Sequence, residues 1–405
     1  MFKKIASNTL AQLVAKFFGA GLTLLTTYFT IRIAGIDLYG DLTKILVMVA
    51  VGFTAIDFGL NAEGIRSSIS DSSMQRNSHS ILLARLFLSV LAVITLNLVV
   101  SLLPGGYSSS VKSIFWLGSL AIIFQGVYTS SNSWFQYHLS YWKSTISVVV
   151  GSLIGTGLTL YFLNSSPTLS HLILANTIGY FAMAISSLFL LSTSGAIKGE
   201  NWRVYDMRAI FSLIRRSLIL GLILIASVLA AKIDTIILGV FRLSGEVGEY
   251  GFAYRIFDVI LVLPAFVMNA IYPLSLKESH NPAKSSLIDK TVITMGIVGV
   301  LVAVCLWFLA PYVNYVKPGL TVATSVLRLL AYSLPFFYLT SPLMWSLIAK
   351  KRDKLVLWIY VFAAAINATL NLIFIPSFGA SAAAINTGIT ELFIFLALLY
   401  FSKNI

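Results

Sequence analysis

Long apolar runs separated by short polar joints make up this chain from end to end. Each run is about 20 residues long or longer, the length an α-helix needs to cross a hydrocarbon core of roughly 30 Å. The joints contain turn-forming residues such as Pro104-Gly105-Gly106 and Lys317-Pro318-Gly319. The pattern predicts an all-α polytopic membrane protein with about twelve transmembrane helices. The predicted spans are residues 8–31, 42–62, 80–103, 113–134, 144–164, 169–192, 213–240, 250–272, 289–314, 322–348, 355–375 and 379–401.

The composition supports this assignment and excludes other classes of protein. The chain is 58% hydrophobic and 11% charged, and its mean hydropathy is +0.89, whereas soluble proteins carry roughly 25% charged residues. Transmembrane β-barrels are excluded because their strands alternate apolar and polar residues. The net charge is +13, but no compact basic domain accompanies it, so no nucleic-acid partner is expected.

The lysines and arginines are concentrated in alternate joints. If Lys3 and Lys4 lie in the cytoplasm, the basic joints all fall on the cytoplasmic side. The external joints then contain only Lys112, Arg242 and Lys317. Such a bias orients membrane proteins with the positive loops inside, so both termini are predicted to be cytoplasmic.

The longest polar joint divides the twelve predicted spans into two sets of six. We predict an N-terminal six-helix lobe over residues 1–194, a cytoplasmic linker over 195–212 and a C-terminal six-helix lobe over 213–405.

A weak internal repeat relates these two lobes. A shift of 211 residues places Leu38-Tyr39-Gly40-Asp41 on Glu249-Tyr250-Gly251-Phe252, and Lys44 on Arg255. With an even number of spans in each half, the lobes would be related by an axis along the membrane normal, with a site at their interface. Chance similarity between helix starts is the alternative.

Some basic residues interrupt the spans instead of lying in joints. Lys16 lies about 12 Å inside its span at 1.5 Å per residue, and a cation at that depth costs about 2.5–3.5 kcal/mol unless water or a counter-charge is present. We therefore predict a cationic aqueous cavity that binds an anionic head group. Arg32 and Arg328, at helix ends, are predicted to reach lipid head groups instead. The candidate substrate-binding residues are Lys16, Lys44, Arg85, Lys232 and Arg255.

Acidic residues also lie within spans, and we expect them not to cancel this positive charge. Arg255 and Asp258 are three positions apart and could pair on one helix face, whereas Lys232 and Asp234 point about 200° apart. Glu391 is near the middle of the last span and is the best candidate for a proton-titrating site, with a structural hydrogen bond as an equal alternative. The candidate ion-coupling residues are Glu391, Asp57, Asp234 and Asp258.

Motifs for enzymatic chemistry are missing from the sequence. It contains no Walker lysine loop, no HExxH, no cysteine cluster and no Asp-x-Asp motif. We therefore expect a transporter and not an enzyme, with no cofactor and no metal site.

Several short motifs carry a family resemblance. They are Ser7-Asn8-Thr9-Leu10, Leu38-Tyr39-Gly40, Asp57-Phe58-Gly59-Leu60, the segment 233–239 (IDTIILG) and the segment 248–255 (GEYGFAYR). With them the chain resembles the O-antigen and polysaccharide flippases of the multidrug/oligosaccharidyl-lipid/polysaccharide exporter superfamily.

The resemblance implies a specific fold and activity. Two six-helix lobes would form a V-shaped, cationic central cavity in the bacterial inner membrane. By alternating access, the cavity would move an undecaprenyl-pyrophosphate-linked oligosaccharide, as used in O-antigen and lipopolysaccharide biosynthesis, from the cytoplasmic to the outer leaflet. An ion gradient, used in antiport, would drive the movement. A polysaccharide polymerase and a chain-length regulator would be possible partners.

Two other functions remain as alternatives. A related exporter could carry drugs or the peptidoglycan precursor. A membrane-embedded O-antigen polymerase is less favoured because the long external loop typical of that class is missing.

Overall fold

The fold is helical, as the apolar runs predict. In the computed structural model all regular structure of the described residues is helix, and the chain divides into two compact units, Met1–Ile225 and Ala226–Ile405. The structure describes residues 2–61, 63, 74–194, 207–264, 267–268 and 286–404. The predicted linker, 195–212, lies mostly outside these residues, and its role stays a prediction.

The first unit contains six long helices and the beginning of a seventh, which continues into the second unit. They are α1 (Phe2–Phe29), α2 (Ile36–Asp57), α3 (Met74–Leu102), α4 (Ser109–Tyr137), α5 (Tyr141–Ser165), α6 (Leu169–Ser192) and α7 (Met207–Phe241). The second unit adds α8 (Ser244–Ile260), α9 (Ser286–Leu309), α10 (Thr321–Ala331), α11 (Leu334–Ala349) and α12 (Asp353–Asn404).

These helices account for the twelve predicted spans. In the described part of the chain nine helices are long and apolar enough to cross a membrane, and α10 with α11, bent by 46°, forms a tenth span. Helix α12 has 52 residues and is broken at Gly379, where φ is 59°, so it contains two of the predicted spans. Helix α8, with 17 residues, begins the eighth predicted span. The prediction of an all-α polytopic fold in two lobes is confirmed.

Apolar side chains on the helix surfaces show how the fold meets the bilayer. On α3, Phe87, Leu91, Ile94 and Leu98 are all at least half exposed, and their spacing places them on one helix face. Large exposed apolar faces are unfavourable in water but match the acyl chains of a membrane.

Glycines bring α5 and α6 into backbone contact. A Cβ added at Gly151 would lie 2.7 Å from the carbonyl oxygen of Gly179, and one at Gly155 would lie 3.3 Å from the Cα of Gly179. Small residues allow this approach, which supplies packing and dipole contacts where the hydrophobic effect is weak.

Two charged side chains stabilise the break in α12. The Arg242 guanidinium donates to the carbonyl oxygen of Ile375 at 3.0 Å, and the backbone N–H of Ala380 donates to Glu246 Oε1 at 2.7 Å. Arg242 and Glu246 also form an ion pair at 3.8 Å. The carbonyl and N–H groups that the break leaves without helical partners are therefore satisfied by side chains.

Candidate functional site

The second unit buries two acidic side chains in apolar surroundings. Asp234 on α7 is 0% exposed and Glu391 on α12 is 7% exposed. A buried carboxyl group is costly unless hydrogen bonds or a counter-charge compensate it. The partners of these two residues therefore show what kind of site the unit contains.

Asp234 is held by hydroxyl and backbone donors from three helices. Tyr250 Oη of α8 donates to Oδ2 at 2.5 Å, and Thr387 Oγ1 of α12 donates to the same oxygen at 3.1 Å. On α7 itself, the N–H of Thr235 donates to Oδ1 at 2.5 Å. The carboxyl group thus lies where α7, α8 and α12 meet.

Glu391 borders a cavity within the second unit. Thr340 Oγ1 of α11 donates to Glu391 Oε1 at 2.5 Å. Among the residues that the structure describes, no lysine or arginine forms an ion pair with Glu391. The cavity has a volume of about 210 Å³, room for several water molecules. Its polar lining consists of Ser227, Thr340, Ser341, Tyr360, Thr387, Thr390 and Glu391.

A closed ring of amides and one hydroxyl joins the two parts of α12 beside this cavity. Asn386 donates to Asn371 at 2.9 Å, and Asn371 donates to Asn367 at 2.6 Å. Asn367 then donates to Thr390 Oγ1 at 3.0 Å, and Thr390 donates to the carbonyl oxygen of Asn386 at 2.8 Å. Since Thr390 also lines the cavity, the ring and the environment of Glu391 form one polar region.

Lys232 pairs with Asp258 across α7 and α8. Lys232 Nζ lies 2.9 Å from Asp258 Oδ2 and 4.6 Å from the ring centroid of Tyr254. Asp258, the carboxylate of the predicted Arg255–Asp258 pair, is therefore bound by Lys232 of the neighbouring helix. The predicted divergence of Lys232 and Asp234 stays a prediction, since both side chains have partners on α8, Asp258 for Lys232 and Tyr250 for Asp234.

Lys44 in the first unit is buried and fully engaged. It is 1% exposed, and its Nζ donates to the carbonyl oxygen of Gly106 at 2.6 Å and to Asp41 Oδ1 at 3.2 Å. Lys44 thereby ties α2 to the turn between α3 and α4. The expectation that acidic groups leave its charge uncancelled is wrong.

Arg85 on α3 is likewise paired, at the other end of α2. It is 0% exposed, and its guanidinium donates to the carbonyl oxygen of Ile56 at 3.1 Å, to Asn61 at 2.9 Å and to Asp57 at 3.5 Å. Ile56 is at the C-terminus of α2, where carbonyl groups lack helical partners. Along α2, twelve residues or about 18 Å separate Lys44 from Ile56, the residue that Arg85 contacts. These two cations therefore do not share one site.

The other candidate cations are less enclosed. Lys16 is exposed on α1, and Arg255 is half-buried on α8. Of the candidate acids, Asp57 and Asp258 are each paired with a cation, so Asp234 and Glu391 stand apart by their burial and their hydroxyl partners.

Several residues of this polar region were not singled out from the sequence. Four of them share one signal, since polar residues four positions apart inside an apolar run lie on the same helix face. The pairs Asn367/Asn371 and Asn386/Thr390 show this spacing. The overlooked residues are Tyr250, Thr340, Asn367, Asn371, Asn386, Thr387 and Thr390.

The fold is found in transporters of known structure. The chain superimposes on the lipid II flippase MurJ in an inward closed conformation with a TM-score of 0.78 and 16% identity, covering 98% of this chain and 87% of MurJ. For an inward-facing multidrug resistance MATE family transporter the TM-score is 0.76, with 13% identity and 94% of each chain covered. For the MATE transporter VcmN of Vibrio cholerae the TM-score is 0.66, with 12% identity, 100% of this chain and 97% of VcmN covered.

The spans define a multi-pass membrane protein, and its fold is the one found in the MurJ and MATE transporters. Residues 5–279, more than half of the chain, match the family described as "Polysaccharide biosynthesis protein". The chain belongs to this polysaccharide biosynthesis protein family, and the predicted resemblance is confirmed. No curated protein matches the sequence significantly.

Proposed function

We propose that this protein is a flippase for undecaprenyl-pyrophosphate-linked oligosaccharide, an O-antigen unit or a related polysaccharide repeat unit. It moves this lipid from the cytoplasmic to the outer leaflet of the bacterial inner membrane by alternating access. One observation carries the proposal, namely that a member of the polysaccharide biosynthesis family has the fold of a lipid II flippase. The proposed substrate combines the two, because it is both a lipid and a polysaccharide precursor.

We further propose that an ion gradient drives the movement through Asp234 and Glu391. Both are buried, and both accept hydrogen bonds from hydroxyl groups. Glu391 also borders a cavity that is large enough for water molecules. Hydroxyl groups can donate or accept hydrogen bonds, so they can follow a change in the charge of the carboxyl group. Asp57 and Asp258 are weaker candidates since each is bound to a cation.

Fewer cations are proposed to bind substrate than the sequence suggests. Lys44 and Arg85 donate hydrogen bonds to backbone carbonyls and carboxylates, which supports a structural role for both. Lys16, Lys232 and Arg255 remain the proposed cations for the pyrophosphate, since arginine and lysine both bind phosphate groups.

Reconstituted vesicles test the flipping reaction directly. Purified protein is inserted into liposomes that contain a fluorescent undecaprenyl-pyrophosphate-linked oligosaccharide, and an impermeant glycosidase reports the sugar exposed outside. We expect protein-dependent exposure that rises when a proton or sodium gradient is imposed. Equal exposure in protein-free vesicles would contradict the flippase, whereas exposure that ignores both gradients would contradict only ion coupling.

The cavity favours one second function, the export of organic cations. The acidic Glu391 and the apolar Phe337, Met344 and Ile394 line the same 210 Å³ space, and an acid in a low-dielectric cavity attracts a cation. Efflux of a fluorescent cationic dye from the same vesicles, without flipping of the oligosaccharide, would favour this function over the first.

A further inference from the structure

Arg328 differs from Lys232 and Arg242, two other half-buried cations of the second unit. Lys232 pairs with Asp258 and Arg242 with Glu246. Within the described parts of the chain, no carboxylate lies at ion-pair distance from Arg328, and its buried Nε has no hydrogen-bond partner. A half-buried guanidinium with an unpartnered Nε favours a negatively charged partner.

The position of Arg328 allows its side chain to reach a lipid head group. It lies in the last turn of α10, seven residues after Thr321, about 10 Å along the helix axis. The span bends by 46° just beyond it, between α10 and α11. At this depth an arginine side chain reaches the phosphate level of the nearer leaflet by extending along the helix.

An aromatic side chain fixes the guanidinium. Arg328 Cζ lies 4.6 Å from the ring centroid of Trp307, in the last turn of α9. Contact with an indole face orients the planar group and leaves its edge free to donate. Tryptophan is also enriched at the membrane–water interface, which places this pair at head-group level.

The surroundings point to lipid and not to the transport cavity. Arg328 and Trp307 are absent from the lining of the cavity beside Glu391. Nearby aromatic residues in the connection between α9 and α10 are turned outward, with exposed fractions of 60% for Tyr312 and 79% for Tyr315. Such a belt is typical of the interfacial region of a bilayer.

We propose that Arg328 and Trp307 form a binding site for the phosphate of an anionic two-chain phospholipid. The site lies in the leaflet nearest the turn between α9 and α10. The guanidinium edge donates to the phosphate oxygens, and the exposed tyrosines flank the head group. One guanidinium supplies donors for a single phosphodiester, which favours a phospholipid over a pyrophosphate-linked lipid.

Titration with defined lipids, followed by native mass spectrometry of the purified protein, tests the site. We expect Arg328→Gln to weaken the binding of phosphatidylglycerol about tenfold, the loss of one charge-assisted, paired hydrogen bond. Trp307→Leu should weaken it about threefold because only the stacking contact is removed. Lys317→Gln is the matched control, since it removes a positive charge from the same turn without touching the stack, and it should change the affinity less than twofold.

Three outcomes would overturn the proposal. The first is equal phosphatidylglycerol affinity of Arg328→Gln and the unmodified protein. The second is an effect of Lys317→Gln as large as that of Arg328→Gln, which would indicate unspecific attraction. The third is a loss confined to undecaprenyl phosphate, which would assign the site to the carrier lipid. If Arg328→Gln does not fold, Arg328→Lys serves instead, because lysine keeps the charge and lacks the paired donors.

Discussion

The two units bury charge of opposite sign and compensate it in different ways. The first unit buries the cations Lys44 and Arg85, and each is bound to a backbone carbonyl as well as a carboxylate. The second unit buries the acids Asp234 and Glu391, which accept hydrogen bonds from tyrosine and threonine hydroxyls. Both units are built from long apolar helices, but one buries cations and the other buries acids.

This difference separates structural charge from charge that can change. A cation bound to carbonyl groups at helix ends and turns cannot lose its partners without local unfolding. A carboxyl group among hydroxyls faces groups that both donate and accept, beside a cavity with room for water. We therefore assign structural roles to the buried cations of the first unit and propose ion coupling for the acids of the second.

The largest expected effect is on the stability of the first unit. Arg85→Ala removes a buried guanidinium that donates to the carbonyl group of Ile56, to Asn61 and to Asp57, and hydrogen bonds to charged groups contribute about 1.5–3 kcal/mol each. Thermal unfolding in detergent measures this loss. Arg216→Ala is the control, because Arg216 is 54% exposed in its pair with Glu63 and such pairs contribute at most about 1 kcal/mol. Equal stability of the two variants would refute the structural role of Arg85.

Lys44→Met should also destabilise the first unit, by about 2 kcal/mol. The substitution keeps the apolar stem but removes a charged donor from the carbonyl group of Gly106, and hydrogen bonds to charged groups contribute about 1.5–3 kcal/mol. The same unfolding measurement applies. Unchanged stability together with lost transport would contradict the structural role and indicate that Lys44 binds substrate.

Glu391→Gln should act on transport more than on stability. The amide can still accept the hydrogen bond of Thr340, but it cannot change charge, so gradient-driven flipping should fall about tenfold, equivalent to about 1.4 kcal/mol. Asp37→Asn, at an exposed acid in the first turn of α2, is the control and should keep full activity. Gradient-dependent flipping by Glu391→Gln at the unmodified rate would remove Glu391 from the coupling site.

The smallest expected change in stability is that of Lys232→Gln. Its pair with Asp258 is partly exposed, at 19% and 41%, so the loss should stay below about 1 kcal/mol. Flipping should nevertheless decrease if Lys232 contacts the pyrophosphate. A destabilisation as large as that of Lys44→Met, with normal flipping of the remaining folded protein, would place Lys232 with the structural cations.

Much of the fold could be predicted from the sequence because span length and apolarity are local properties. Run length and apolarity predict the twelve spans and the two lobes. The spacing of small residues within one helix predicts the glycine contact of α5 with α6. The candidate site was only partly predictable. Asp234 and Glu391 were identified by their apolar context, but Tyr250, Thr340 and Thr387 are ordinary polar residues until other helices bring them to the carboxyl groups.

The sequence by itself determined that the chain spans a membrane many times and that it places charge within its spans. Only the tertiary structure decided which charges are compensated. Asp258 is three residues from Arg255 yet binds Lys232, 26 residues away, and Arg85 binds the end of a helix 29 residues earlier. The physical reason is that a charge interaction depends on distance and burial in space, and neither can be read from spacing along a single helix.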